Sequence, residues 1–240
     1  MLVPLATVLF PLRSADRPVL SGPEEVLDAP PFRLHYTRSG RDAPPDTDED
    51  GDGVPDLVTT YRDALLHAAD DYAEEGWRPL VTDGGAAGAD DIDVYVQDLD
   101  IFGYATPVPL PDGTASCHLR LDPGNAIGGS IAAAVATHEL HHCVQFRYTV
   151  QAATWLYEAS ATFEQYSHVV DPVLELPVGV LWAQWLDGGE TRLAATDGRH
   201  EYAAFVFVDH WMQRRGADPD RLPALWEALA EPEPEPEPVV

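Results

Sequence analysis

An α+β domain built on a mixed sheet is the fold class this sequence predicts, on three observations. Short segments that alternate apolar and polar residues, such as FRLHY at 32–36 and IDVYV at 92–96, read as strands. Longer segments with apolar residues at helical spacing lie between and after them, bounded by Gly and Pro. The 240 residues, 45% of them hydrophobic, suffice for one large domain with a substantial core.

Charge narrows the partners. The chain carries 14 Lys plus Arg against 41 Asp plus Glu, a formal net charge of −27. Such a surface repels phosphate backbones and anionic membranes, which excludes nucleic acid as a main partner. All 14 basic residues are Arg, which fits GC-rich coding as well as an exported or salt-tolerant protein. No run approaches the ~18 apolar residues of a membrane-spanning helix, so no transmembrane segment is expected.

Taken in order, residues 1–20 open with MLVPLATVLFPL, which reads either as the remnant of an export signal or as an ordinary first strand. Residues 21–45 form a Pro-rich arm whose 32–36 alternation marks a first strand of the sheet or a segment packed on it. The main domain is expected at 46–230. It starts with DTDEDGDGVPD at 46–56, where Asp48, Asp50 and Asp52 alternate, Gly53 permits a turn and Asp56 closes the pattern. Alternate carboxylates converging with the Val54 carbonyl suit Ca²⁺, a hard cation that takes six to eight oxygens. Position 12 of a full EF-hand would be Thr59, so the loop is of another calcium-binding kind; the other reading is an acidic solvated linker. A helix follows over 57–72, then the strand at 92–96, a turn at 103–107 and a strand at 115–122.

Residues 130–166 hold the expected chemistry. His138-Glu139-Leu140-His141-His142 matches H-E-x-x-H inside a helix-forming run after Ser130, the expected N-cap. Positions i and i+4 share one helix face, so His138 and His142 can offer two nitrogens to one Zn²⁺, with Glu139 beside them as proton acceptor. Glu158 lies sixteen residues after His142 in W-L-Y-E-A-S-A, a second helical pattern. A helix, a turn and a return helix bring that carboxylate back as a third ligand, with Ala159 and Ala161 allowing close packing.

H-E-L-H-H-C-V-Q followed by W-L-Y-E-A-S-A resembles the zincin metallopeptidases with a glutamate third ligand. More narrowly, the chain from about Asp46 to about Gly216 is similar to a bacterial family of secreted zinc metalloproteases. In that family a D-x-D-G-D-G-x-P-D segment, a helix, a D-V-Y strand, the H-E-x-x-H helix and W-x-x-E follow one another. The resemblance implies a zincin-like fold, Zn²⁺ on His138, His142 and Glu158, Glu139 as general base, and a protein or peptide substrate. It also assigns an edge strand that holds extended peptide to 115–121.

Cys117 and Cys143 read either as a disulfide tying that strand to the metal-binding helix or as two buried thiols. Residues 200–215 form a further helix, whose Tyr202 or His200 either hydrogen-bonds a reacting oxyanion, as in related zincins, or packs on the core. A last short helix is expected at 221–230, and the 231–240 Glu-Pro repeat as a solvated, disordered tail. Two function classes remain: a secreted zinc metallopeptidase, or an exported calcium-stabilised surface or binding module whose zinc site is non-catalytic.

Overall fold

The computed structural model describes residues 17–85, 88–189, 191–214 and 220–231. The apolar opening up to residue 16 and the Glu-Pro repeat beyond residue 231 therefore lie outside the described residues. The fold is mixed α+β: one five-stranded sheet with helices packed on one face. Strands β1 (Glu24–Ala29), β2 (Phe32–Thr37), β3 (Ile92–Val96), β4 (Gly103–Pro109) and β5 (Ala115–Leu121) lie in the order β1-β2-β3-β5-β4. β2, β3 and β5 run parallel; β1 and β4 are antiparallel edges.

Residues 32–36 thus belong to the sheet, and the Pro-rich stretch before them supplies a further strand, β1. The 103–107 turn is also a strand. β4 contains Pro107 and Pro109, which lack a ladder donor and are tolerated because β4 is an edge. This moves the edge strand: residues 115–121 are interior, held by β3 on one side and β4 on the other. A strand pattern alone does not say which neighbour is present, and here β4 takes the outer position.

The register sets one face of the sheet. Leu34, Val94, Leu119 and Ala105 are successive partners across it, buried against the helices. α1 (Asp56–Glu74) lays Leu57, Tyr61, Leu65, Ala68 and Tyr72 on that core, and Gly76 (φ 80°) follows its end in the left-handed conformation. Tyr72 donates its hydroxyl to the Thr137 carbonyl (3.0 Å), tying α1 to α2 (Gly129–Gln145). α2 is buried on all sides from Thr137 to Gln145, so its small Ala132–Ala136 run has sheet, α1 and α3 (Thr154–His168) around it. Ser130 is not the N-cap; it lies in the first turn and its hydroxyl contacts Asp171 (2.6 Å).

Beyond α3 come α4 (Glu175–Asp187), α5 (His200–Ala203), α6 (Phe205–Gln213) and α7 (Arg221–Ala230). The expected 200–215 helix is therefore broken at Ala204. Cys117 of β5 and Cys143 of α2 form a disulfide with Cα atoms 5.5 Å apart, closing a separation of 26 residues. Closing a loop of that size stabilises by roughly 3 kcal/mol in the chain-entropy account. No described helix is long and apolar enough to cross a membrane.

Candidate metal centre

His138 and His142 sit one turn apart on α2, their ring centroids 4.9 Å apart and nearly perpendicular. α3 packs closely against α2, with small, fully buried Ala159 and Ala161 following Glu158 in the chain. That approach carries Glu158 to the two rings: its Oε2 lies 3.3 Å from His138 Nε2 and 3.7 Å from His142 Nε2. All three side chains are buried. Donor atoms of a tetrahedral zinc set with bonds of about 2.0–2.2 Å lie roughly 3.3–3.6 Å apart, close to the spacing seen.

Burial sets the charge of this group. It pushes both imidazoles down to about 4, only partly opposed at His142 by the Glu158 charge, so both are neutral at pH 7. It pushes the Glu158 carboxyl up to about 7, opposed by His142 and reinforced by nearby Glu201. Glu139 is raised well above the usual carboxylate range, first by burial and then by the Glu158 charge. Glu139 Oε2 and Glu158 Oε1 are buried without a hydrogen-bond partner. Two neutral nitrogen donors and two incompletely satisfied carboxyls, all taken out of water, are a costly arrangement that a divalent cation relieves. The residues present fit zinc.

Glu139 lies against the edge strand. The Ala105 N–H hydrogen-bonds its carboxylate, and a Cβ on Gly103 would come within 3.0 Å of Glu139 Cγ. Glycine at 103 leaves the room that a Cβ would crowd. Tyr202, buried on α5, donates its hydroxyl to Glu158, and its ring lies 6.1 Å from that of His138. His200 instead stacks on Trp185 (5.4 Å between centroids), so of the two residues expected at this helix start Tyr202 is the one beside the His138, His142 and Glu158 cluster. His118 sits on β5 next to Cys117; because successive strand residues point to opposite faces, it lies on the side of the sheet away from α2, edge-on to Tyr95.

A second layer was not legible in advance. His138 Nδ1 meets Gln165 Oε1 at 3.1 Å and His142 Nδ1 meets Gln145 Oε1 at 2.7 Å. The available signal was helical spacing: Gln145 is three residues after His142, and Gln165 seven after Glu158.

The acidic loop forms apart from this centre. Carboxylates of Asp48, Asp50 and Asp52 gather within 4.8 Å of one another. Asp48 accepts from the N–H groups of Asp52 and Gly53, and Asp52 accepts from Val54 N–H (2.7 Å). Asp56 begins α1 and accepts from Glu49 N–H at 3.0 Å.

A mixed α+β domain with a buried two-histidine, one-glutamate cluster and a neighbouring carboxyl is the class the fold and the centre define. Against known protein families, curated proteins and solved structures, the chain finds no match.

Proposed function

We propose that this chain is a zinc-dependent metallopeptidase with a zincin-like fold, holding Zn²⁺ on His138, His142 and Glu158. The observation that carries the reading is the convergence of the His138, His142 and Glu158 donor atoms beside a fourth group, Glu139, whose Oε2 has no hydrogen-bond partner. The ion, when bound, supplies a Lewis acid that lowers the pKa of water and polarises a carbonyl.

The rest is the work of this chain's side chains. Glu139 Oε2 takes the proton of the attacking water and later delivers it to the leaving amine; a carboxyl raised well above its usual range by burial holds a proton more readily than a free one. Ala105 N–H keeps that carboxylate turned to the edge strand. β4 offers its outer backbone groups to an extended peptide, the role first assigned to 115–121. The Tyr202 hydroxyl rests on Glu158 and is the donor assigned to a developing oxyanion, to which it has to turn. The Cys117–Cys143 bridge, the acidic surface and the Asp48/Asp50/Asp52 loop, read as a Ca²⁺ site, support a secreted protein.

A second reading is favoured by one observation: His138, His142, Glu139 and Glu158 are each at most 7% exposed, as in a closed, structural zinc site. It makes the chain an exported calcium-stabilised binding module. Glu139→Gln separates the two. On the enzyme reading it keeps one zinc per chain and loses about 10²- to 10⁴-fold in casein or peptide hydrolysis. Native protein that holds zinc and cleaves nothing in a peptide library ends that reading.

A further inference from the structure

We propose that Gln145 and Gln165 are positioning residues for the two ligand histidines: Gln145 holds His142 as its Nδ1–H tautomer, its Nε2 lone pair turned to Glu158 before any ion arrives, and Gln165 orients the His138 ring. Only the metal-affinity part of this rests on the zinc reading; the tautomer part stands on hydrogen-bond direction.

The direction at His142 is forced by a backbone carbonyl. Gln145 is fully buried, and its carboxamide has three neighbours: Tyr157 O at 3.0 Å, Ser160 Oγ at 2.9 Å and His142 Nδ1 at 2.7 Å. A carbonyl oxygen can only accept, so the Gln145 NH₂ must face Tyr157. Ser160 spends its own hydrogen on the Leu156 carbonyl (2.6 Å) and is left to accept the second amide hydrogen. The Gln145 oxygen therefore has one place to go, His142 Nδ1, and that nitrogen must carry the hydrogen. Neutral imidazole then has its lone pair on Nε2, the atom 3.7 Å from Glu158 Oε2.

His138 is held differently. Its acceptor, Gln165, comes from α3, half-buried, two turns beyond Glu158. Among the described residues the amide nitrogen of Gln165 has no hydrogen-bond partner, so none of them pins the carboxamide against a flip that would present NH₂ to His138. The two glutamines also tie each ligand of α2 to the helix that carries the third: Gln165 directly, Gln145 through Tyr157 and Ser160. Partners of this kind on the far ring nitrogen orient a ligand histidine and raise its donor strength.

The asymmetry makes the idea testable. A glutamate at 165 can only accept, so Gln165→Glu locks the useful tautomer of His138 and removes no donated bond. A glutamate at 145 loses both amide donors and faces the Tyr157 carbonyl. Two measurements are made on full-length native protein and on the Gln→Leu and Gln→Glu variants at each position. The first is the imidazole ¹⁵N spectrum of metal-free protein, which reads the tautomers; the second is the zinc dissociation constant by chelator competition. Expected are Nδ1–H for His142 in native protein and about 10- to 100-fold weaker zinc in Gln165→Leu and Gln145→Leu. Gln165→Glu should bind zinc at least as tightly as native, whereas Gln145→Glu should not recover. Nε2–H on His142 in the native metal-free protein overturns the proposal, as does native zinc affinity in both leucine variants. Should the position 145 variants not fold, the native spectrum and the position 165 pair decide. Native protein that binds no zinc defeats the proposed function instead, and leaves the tautomer spectrum to judge this inference.

Discussion

Near its start, α3 brings Glu158 to His138 and His142; toward its other end, Glu164 and His168 meet Asp71 of α1 and Glu75 just past its end. The residue types are the same, yet the two clusters hold their imidazoles in opposite charge states. His138 and His142 present Nδ1 to neutral carboxamides, and burial keeps them down at about 4. His168 has carboxylates on both nitrogens: Asp71 on Nδ1 at 3.0 Å, Glu164 and Glu75 on Nε2 at 2.9 and 3.3 Å. Burial lowers it too, but the hydrogen bonds to Glu164 and Glu75 outweigh that and lift it to about 10. Acceptor identity decides the outcome. A cluster that carries its own cation is complete, and joins α1 to α3 as an ion-paired clamp. A cluster that keeps free lone pairs is ready for an external one.

The strongest way to break this contrast is to make one substitution at both ends of the helix. Glu158→Gln is expected to lose stoichiometric zinc, while Glu164→Gln keeps it; elemental analysis of the purified proteins decides. Zinc retained in the first, or lost from the second, would mean that the clusters have been told apart wrongly.

His168→Gln tests the clamp. Removing the cation leaves buried and half-buried carboxylates facing one another, at a cost on the order of 3 kcal/mol in urea denaturation, with zinc content unchanged. The pH dependence sharpens it. The folded-state pKa of His168 is raised, so its contribution is whole below the unfolded value near 6.5 and is lost as pH climbs toward about 10. Native protein should lose stability across that window, and His168→Gln should lose less. Equal slopes for the two would remove His168 as the source.

The smallest effect is expected at the third cluster, on the acidic loop. Calcium at 100 times its dissociation constant would stabilise by about 2.7 kcal/mol, an upper bound for an exposed loop. Asp50→Asn should remove most of the calcium-dependent rise in Tm and leave zinc untouched. A Tm unaffected by calcium in the native protein would return the loop to an acidic linker.

How far the sequence reached depends on where the information lay. The 138/142 spacing and the return of Glu158 follow from helical geometry and a short connection, both local properties, and the folded chain brings those residues together. The α1 boundary and the turn at Gly76 were equally local. β4 was not legible because Pro107 and Pro109 argue against a strand unless its edge position is known, and that is set by the neighbours. Gln145, Gln165 and the His168 cluster were missed for a related reason. A glutamine or histidine on a helix reads as solvated until packing shows what it faces. Ser130 misled by being a good capping residue two positions past the cap, where Asp171 claims its hydroxyl.

One covalent feature has a mechanical side. Pro107 on the outer strand sits opposite Cys117, and Cys117 is bonded to the residue directly after His142. If a peptide is seated along β4, as the proposed function has it, its pull reaches a ligand of the ion through one ladder step and one sulfur bridge. The rim that grips and the nitrogen that ligates then move as a single rigid part.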